Sequence, residues 1–197
     1  MTGATHPRVR GDEGAVLVEA VFVLPVFIFI VLGIIEFGLL FAAESTTASA
    51  TKDGVRFGSA NYAVSGSNQA AADQVAAAVA QDLSARTGFD APIKLVIYKA
   101  DSSGNPTGGF TSCTASCFRY TWGGSSWVAD NTSPGWNNPL ACINVDPNDP
   151  NAGLNTLDSI GAYVELRHNF VTGAFGSSQV IKEHTVSRLE PLPSGQC

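Results

Sequence analysis

The sequence is short of charge, of basic clusters and of histidine, and each shortage excludes something. Lys, Arg, Asp and Glu make up 14% of the 197 residues, where an ordinary soluble domain carries about 25%. Eleven cations stand against seventeen anions for a net charge of -6, so the basic face that nucleic-acid phosphates require is missing. No polybasic run exists, which excludes a lysine-rich patch for lipid headgroups. His6 falls in the amino-terminal tail, while His168 and His184 alternate with apolar residues, the ordinary pattern of cross-strand histidines. No GxSxG elbow, HExxH pair or phosphate loop occurs. The expectation is a protein without enzymatic activity, cofactor or metal. Disorder is excluded too, because apolar residues reach 45%, enough to fill a core.

Those apolar residues are unevenly placed. Ala15 to Ala43 contains two charges, Glu19 and Glu36, and Ala20 to Ile35 contains none. A helix rising about 1.5 Å per residue crosses the roughly 30 Å hydrocarbon layer in about 20 residues, and this run exceeds that. The expectation is a transmembrane helix over 15–43. A buried core helix would be shorter and show a polar face. A cleaved signal peptide would end in small residues where this run has Phe41-Ala42-Ala43, and Ala48-Ser49-Ala50, a cut after which would leave a chain beginning at Thr51, lies well beyond the apolar run.

Charge barely orients the helix, since Arg8 and Arg10 precede it and Lys52 and Arg56 follow. The cysteines decide. Cys113, Cys117, Cys142 and Cys197 all follow the helix in a Gly- and Ser-rich region, and an even number there fits an oxidising compartment. Zinc is the weaker reading, because only Cys113 and Cys117 form a close pair. Residues 1–14 then form a cytoplasmic tail of a single-pass protein, with the rest exported.

An ionised carboxylate at membrane depth costs about 2.5–3.5 kcal/mol even on a lenient insertion scale. Glu36 lies about 26 Å of helix beyond Glu19, where it reads as a snorkelling acid at the outer interface. Glu19 has the apolar run directly behind it. Were the chain cut between Gly14 and Ala15, Glu19 would become the fifth residue of a chain whose new amino group is a cation, and pairing the two offsets the cost of burying both. Pro25 removes a helix hydrogen bond and crowds the carbonyl of Val21, so a kink is expected there.

The stretch Gly14-Ala-Val-Leu-Val-Glu19, then Leu24-Pro25, then Gly33-Ile-Ile-Glu36-Phe-Gly38 closely resembles the amino-terminal segment of TadE-like proteins. These are minor pilins or pseudopilins of the tight-adherence (Flp) branch of type IV pilus machinery. Arg188-Leu189-Glu190-Pro191 resembles the close of that family's last strand. The resemblance implies a bitopic protein of the bacterial cytoplasmic membrane with a leader-like tail over 1–14, processed by a prepilin peptidase after Gly14, with Glu19 guiding assembly among other pilin-like subunits on a membrane platform. The sequence departs from the Flp pilin pattern at Ala20, where an aromatic residue commonly follows the Glu.

Past the membrane, Phe41, Ala48, Val55 and Tyr62 recur every seven residues and predict a helical stalk over 44–66, weakened by Gly54 and Gly58. Ser65-Gly66-Ser67 breaks it. In the run Asn68 to Arg86, Ala72, Val75, Ala76, Val79 and Leu83 form one stripe of a helix, closed by Gly88. Ile93 to Ala100, Phe118 to Trp122, Ala162 to Val171 and Gln179 to Leu189 read as strands. The last two make a hairpin through Thr172 to Ser178, while 101–109 and 123–138 read as loops. The fold class is α+β: a long transmembrane helix, then a small head over 67–197 with a helix packed on an antiparallel sheet of about four strands.

Asp146 to Asn151 resembles a calcium loop but has Pro150 and Asn151 where a ligand and Gly are needed, so it reads as an Asx-turn loop. Trp122, Trp127 and Trp136 read either as an adhesive aromatic surface for sugar or protein or as core, and the expectation is that at least two pack in the core. Four cysteines allow three pairings. Thr114-Ala115-Ser116 is small enough for a turn joining Cys113 to Cys117, and Cys142 with Cys197 would tie down the tail. The expected function is a pilin-like part of a pilus or secretion machine, and the alternative is a membrane-anchored binding module that enters no filament.

Overall fold

A computed structural model describes residues 12–64, 69–84, 88–143, 148 and 157–192. Helix α1 (Asp12–Asn61) and helix α2 (Gln69–Ser84) are followed by five strands. These are β1 (Asp90–Ala100), β2 (Cys117–Trp122), β3 (Trp127–Ala129), β4 (Ser159–Asn169) and β5 (Ser178–Arg188). The sheet order is β3-β2-β1-β4-β5, with every neighbouring pair antiparallel. This is the α+β class expected, with one strand more. The addition, β3, lies inside the stretch expected as a loop. Three residues are too few to show an alternating pattern, and β3 is held by a four-residue return from β2 in which Gly123 N–H donates to Ser126 O at 2.9 Å and Gly124 takes φ +98.

The chain forms two compact units that divide between Leu39 and Leu40. In the first, α1 continues through Pro25, and its large apolar residues from Val16 to Val31 are exposed. Glu36, expected to reach water or a headgroup, is instead fully buried and has a bonding partner. Among the described residues, α1 is the one helix long and apolar enough to cross a membrane, with a mean hydropathy of 2.8 over its best window.

In the second unit α1 changes character. Ala43, Thr47, Ala50, Thr51, Gly54, Val55, Gly58, Ser59 and Tyr62 are buried at helical spacing, so this segment is the central helix of the head and no free stalk. The expected seven-residue repeat catches only Val55 and Tyr62 of that stripe, Phe41 being 65% exposed. The buried residues are small, and the reason is close approach. A Cβ on Gly54 would meet Val79 of α2, and one on Gly58 would meet Ile160 of β4 and Val75 of α2. Thr46, Thr47 and Thr51 return their hydroxyls to carbonyls four residues back, which removes their need for a partner elsewhere.

The expected stripe of α2 is the observed one, with Ala71 added. One core joins both helices to Leu95, Ile97, Phe118, Tyr120, Ile160, Ala162, Val164 and Leu166. The alternate residues Val96, Tyr98 and Tyr163 point to the opposite face, where they cluster with Cys117 of β2 and with Phe110 and Cys113 from the loop after β1. At the far end Tyr62 stacks on Trp136 with ring centroids 4.8 Å apart and donates its hydroxyl to the Trp136 carbonyl at 2.7 Å.

All four tyrosines of the chain sit in this head, and burial pushes each hydroxyl well above its usual range. Nearby carboxylates add to burial at three of them: Asp101 at Tyr98, Asp73 at Tyr120 and Glu165 at Tyr163. An unfolded tyrosine loses its proton near pH 10, so above that pH the unfolded chain binds fewer protons than the folded one. Stability is therefore complete below about pH 10 and falls as pH rises beyond it. Alkaline titration is expected to show no tyrosinate absorbance step near pH 10 in the folded protein, the band appearing only as tryptophan fluorescence reports unfolding. A reversible step near pH 10 with the fluorescence intact would contradict this.

Candidate functional site

Gly14, Ala15 and Glu19 fall in the opening turns of α1, which begins at Asp12. Gly14 is exposed, and a Cβ added to it would meet nothing. The bond between Gly14 and Ala15 lies in a helical turn, which must fray before the chain there can extend. Glu19 is exposed and makes no hydrogen bond or ion pair among the described residues. One turn further on stand Phe22 and Val23, 73% and 57% exposed. A carboxylate at the edge of such a surface is stable in a bilayer only when a cation or donor joins it. Pro25 lies six residues on, inside the helix, where it leaves the Val21 carbonyl without its helical partner.

The head contributes the disulfide Cys113–Cys117, the close pairing expected. Its Cα atoms are 6.4 Å apart, and Ser116 takes a left-handed φ of 52 to bring the chain into β2. The expected partner of Cys142 is Cys197, which lies outside the described residues; no described cysteine is free.

No group of three or more His, Cys, Asp and Glu that could hold a metal occurs among the described residues. His6 and most of the Asp146 to Asn151 loop lie outside them. His184 is exposed, with its ring 4.9 Å from Phe110. Trp136 is in the core, whereas Trp122 and Trp127 are half-buried and meet edge to face at 5.0 Å on the β3 edge.

Sequence reading missed two polar arrangements. His168 is 1% exposed, and its Nδ1 lies 2.6 Å from Asp90 Oδ1 across the β1/β4 pair. Tyr120 donates its hydroxyl to Asp73 Oδ1 at 3.0 Å, and Gln69 donates to the same oxygen at 2.8 Å. No local signal could have shown the first, whose members are 78 residues apart.

The architecture defines a class: an apolar helix of membrane length, continuous with the central helix of an α+β head. Within it, residues 14–56 match the family described as TadE-like protein. That segment, which contains Gly14, Ala15, Glu19 and Pro25, is similar to the TadE-like family, which belongs to the Tad pilus system. The match covers less than half of the chain. No curated protein and no solved structure matched.

Proposed function

We propose that this protein is a minor pilin or pseudopilin-like component of a Tad/Flp pilus or related secretion machine, acting in assembly or adherence and not in catalysis. The observation that supports this reading is the TadE-like segment coinciding with an apolar helix whose Glu19 is exposed and has no partner among the described residues. The helix anchors the chain once in the cytoplasmic membrane, its amino terminus inside and its disulfide-bearing head outside, where thiols oxidise. A prepilin peptidase cuts after Gly14. The new amino group at Ala15 then pairs with Glu19, on its own chain or on a neighbouring subunit, and the pairing brings helices into register on the assembly platform.

Glu19→Gln keeps the shape and removes the charge. Insertion and cleavage are expected to persist, because insertion no longer carries a charge cost, while co-purification with partner pilins is lost. Undiminished association would sink the assembly role. It would favour the other reading, a membrane-anchored binding module that enters no filament.

A further inference from the structure

We propose that the groove between α2 and β3 is a binding site for one cationic side chain, of the arginine or lysine kind, presented by another protein. Its floor is Ala76, Ala77 and Ala80, its wall is Trp127, and Asp73 with Tyr120 closes one end. Positions 73, 76, 77 and 80 follow one stripe of α2, a trough about 10 Å long in which no side chain of the floor extends beyond Cβ. The volume is about 220 Å³, below the usual range for small-molecule pockets and suited to a single long side chain.

The electrostatics select the sign. Asp73 is exposed, and Oδ1 already accepts from Tyr120 and Gln69, both neutral donors. No cation contacts it among the described residues. None stands on the elements that build the groove, either: α2 and β3 contain no Lys or Arg. Arg119 of β2 belongs to the alternate side of the strand from Tyr120 and is bound to Asp130 at 3.0 Å. A guanidinium or ammonium placed at Asp73 would gain a charge-assisted hydrogen bond. Its methylene stem would lie on the alanines, and Trp127 lines the same trough, an aromatic neighbour of the kind a cation favours. The net charge of -6 favours approach of a basic partner.

The test uses the full chain in detergent micelles with 15N-labelled indoles. Three tryptophans give three indole resonances, and Trp127 is assigned through Trp127→Phe. Nα-acetyl-arginine methylamide is titrated against Nα-acetyl-norleucine methylamide, which has a similar stem and no charge. The arginine probe is expected to move the Trp127 resonance saturably, more weakly at higher salt, and the norleucine probe is not. Asp73→Asn leaves Tyr120 an acceptor, so folding should survive while affinity falls at least about tenfold. Ala77→Leu fills the trough at an exposed position and should abolish the shift. A norleucine shift equal to that of arginine, unchanged affinity in Asp73→Asn, saturation by a neutral sugar such as N-acetylglucosamine, or no saturable shift with either probe would each overturn the proposal. None of these outcomes bears on the pilin reading, which rests on α1.

Discussion

Asp90→Ala is expected to lower the stability of the head by about 1–3 kcal/mol, the cost of leaving a buried polar group without its partner. His168 is almost completely buried, and its Nε2 has no hydrogen-bond partner among the described residues. The bond from Nδ1 to Asp90, whose side chain is 6% exposed, therefore carries the ring's polar contact. Removing the carboxylate leaves an imidazole in an apolar strand pair, beside Phe170 at 5.5 Å, with no partner for either nitrogen. Replacing both residues together, Asp90→Leu with His168→Phe, should recover part of the loss, because two apolar groups satisfy each other where one orphaned polar group cannot. Urea unfolding of the full chain in micelles, followed by tryptophan fluorescence, reads the head alone, since Trp122, Trp127 and Trp136 all lie there. A loss under about 1 kcal/mol for Asp90→Ala would show the pair to be incidental.

Gly54→Val is expected to destabilise by about 3 kcal/mol, at the upper end for an overpacked core. Helix propensity alone points the other way, since Gly is about 1 kcal/mol worse than Ala in a helix interior. The contact decides. A Cβ at Gly54 would clash with Val79 Cγ2, and Val79 is fully buried, β-branched and unable to swing aside. The control is Gly38→Ala, where an added Cβ meets nothing within 4 Å; it should leave head unfolding unchanged. If Gly54→Val unfolded at the wild-type urea concentration, α2 would not approach α1 as closely as the structure shows.

These two sites show where sequence reading stops. The apolar run of α1 is legible from its length and lack of charge, and the stripe of α2 and the four long strands because each repeats a short-range pattern, period 3.6 or period 2, that a continuous face imposes. The disulfide Cys113–Cys117 is legible for a similar reason, four residues and a small turn. The second half of α1 is misread as a stalk because its buried face is made of Ala, Thr, Ser and Gly. Such residues show little apolar contrast, yet they let two helices and a sheet close together. Gly54 and Gly58 look like weak points of a helix until the partners crossing them are known. His168 with Asp90 and Tyr62 with Trp136 join residues 78 and 74 positions apart, which no local pattern encodes. Gly14, Ala15 and Glu19 are legible for the opposite reason. Their proposed chemistry, a cut and a charge on the next turn of one helix, is local, and the partner that would complete it belongs to another molecule.

The amino terminus of the mature chain tests that proposal most directly. Protein recovered from the membranes of the native host is predicted to begin at Ala15, as shown by its intact mass together with amino-terminal sequencing. An intact chain, or one beginning at Thr51, would contradict the account, because Glu19 would then have no adjacent amino group to pair with and the apolar helix would be either uncut or lost.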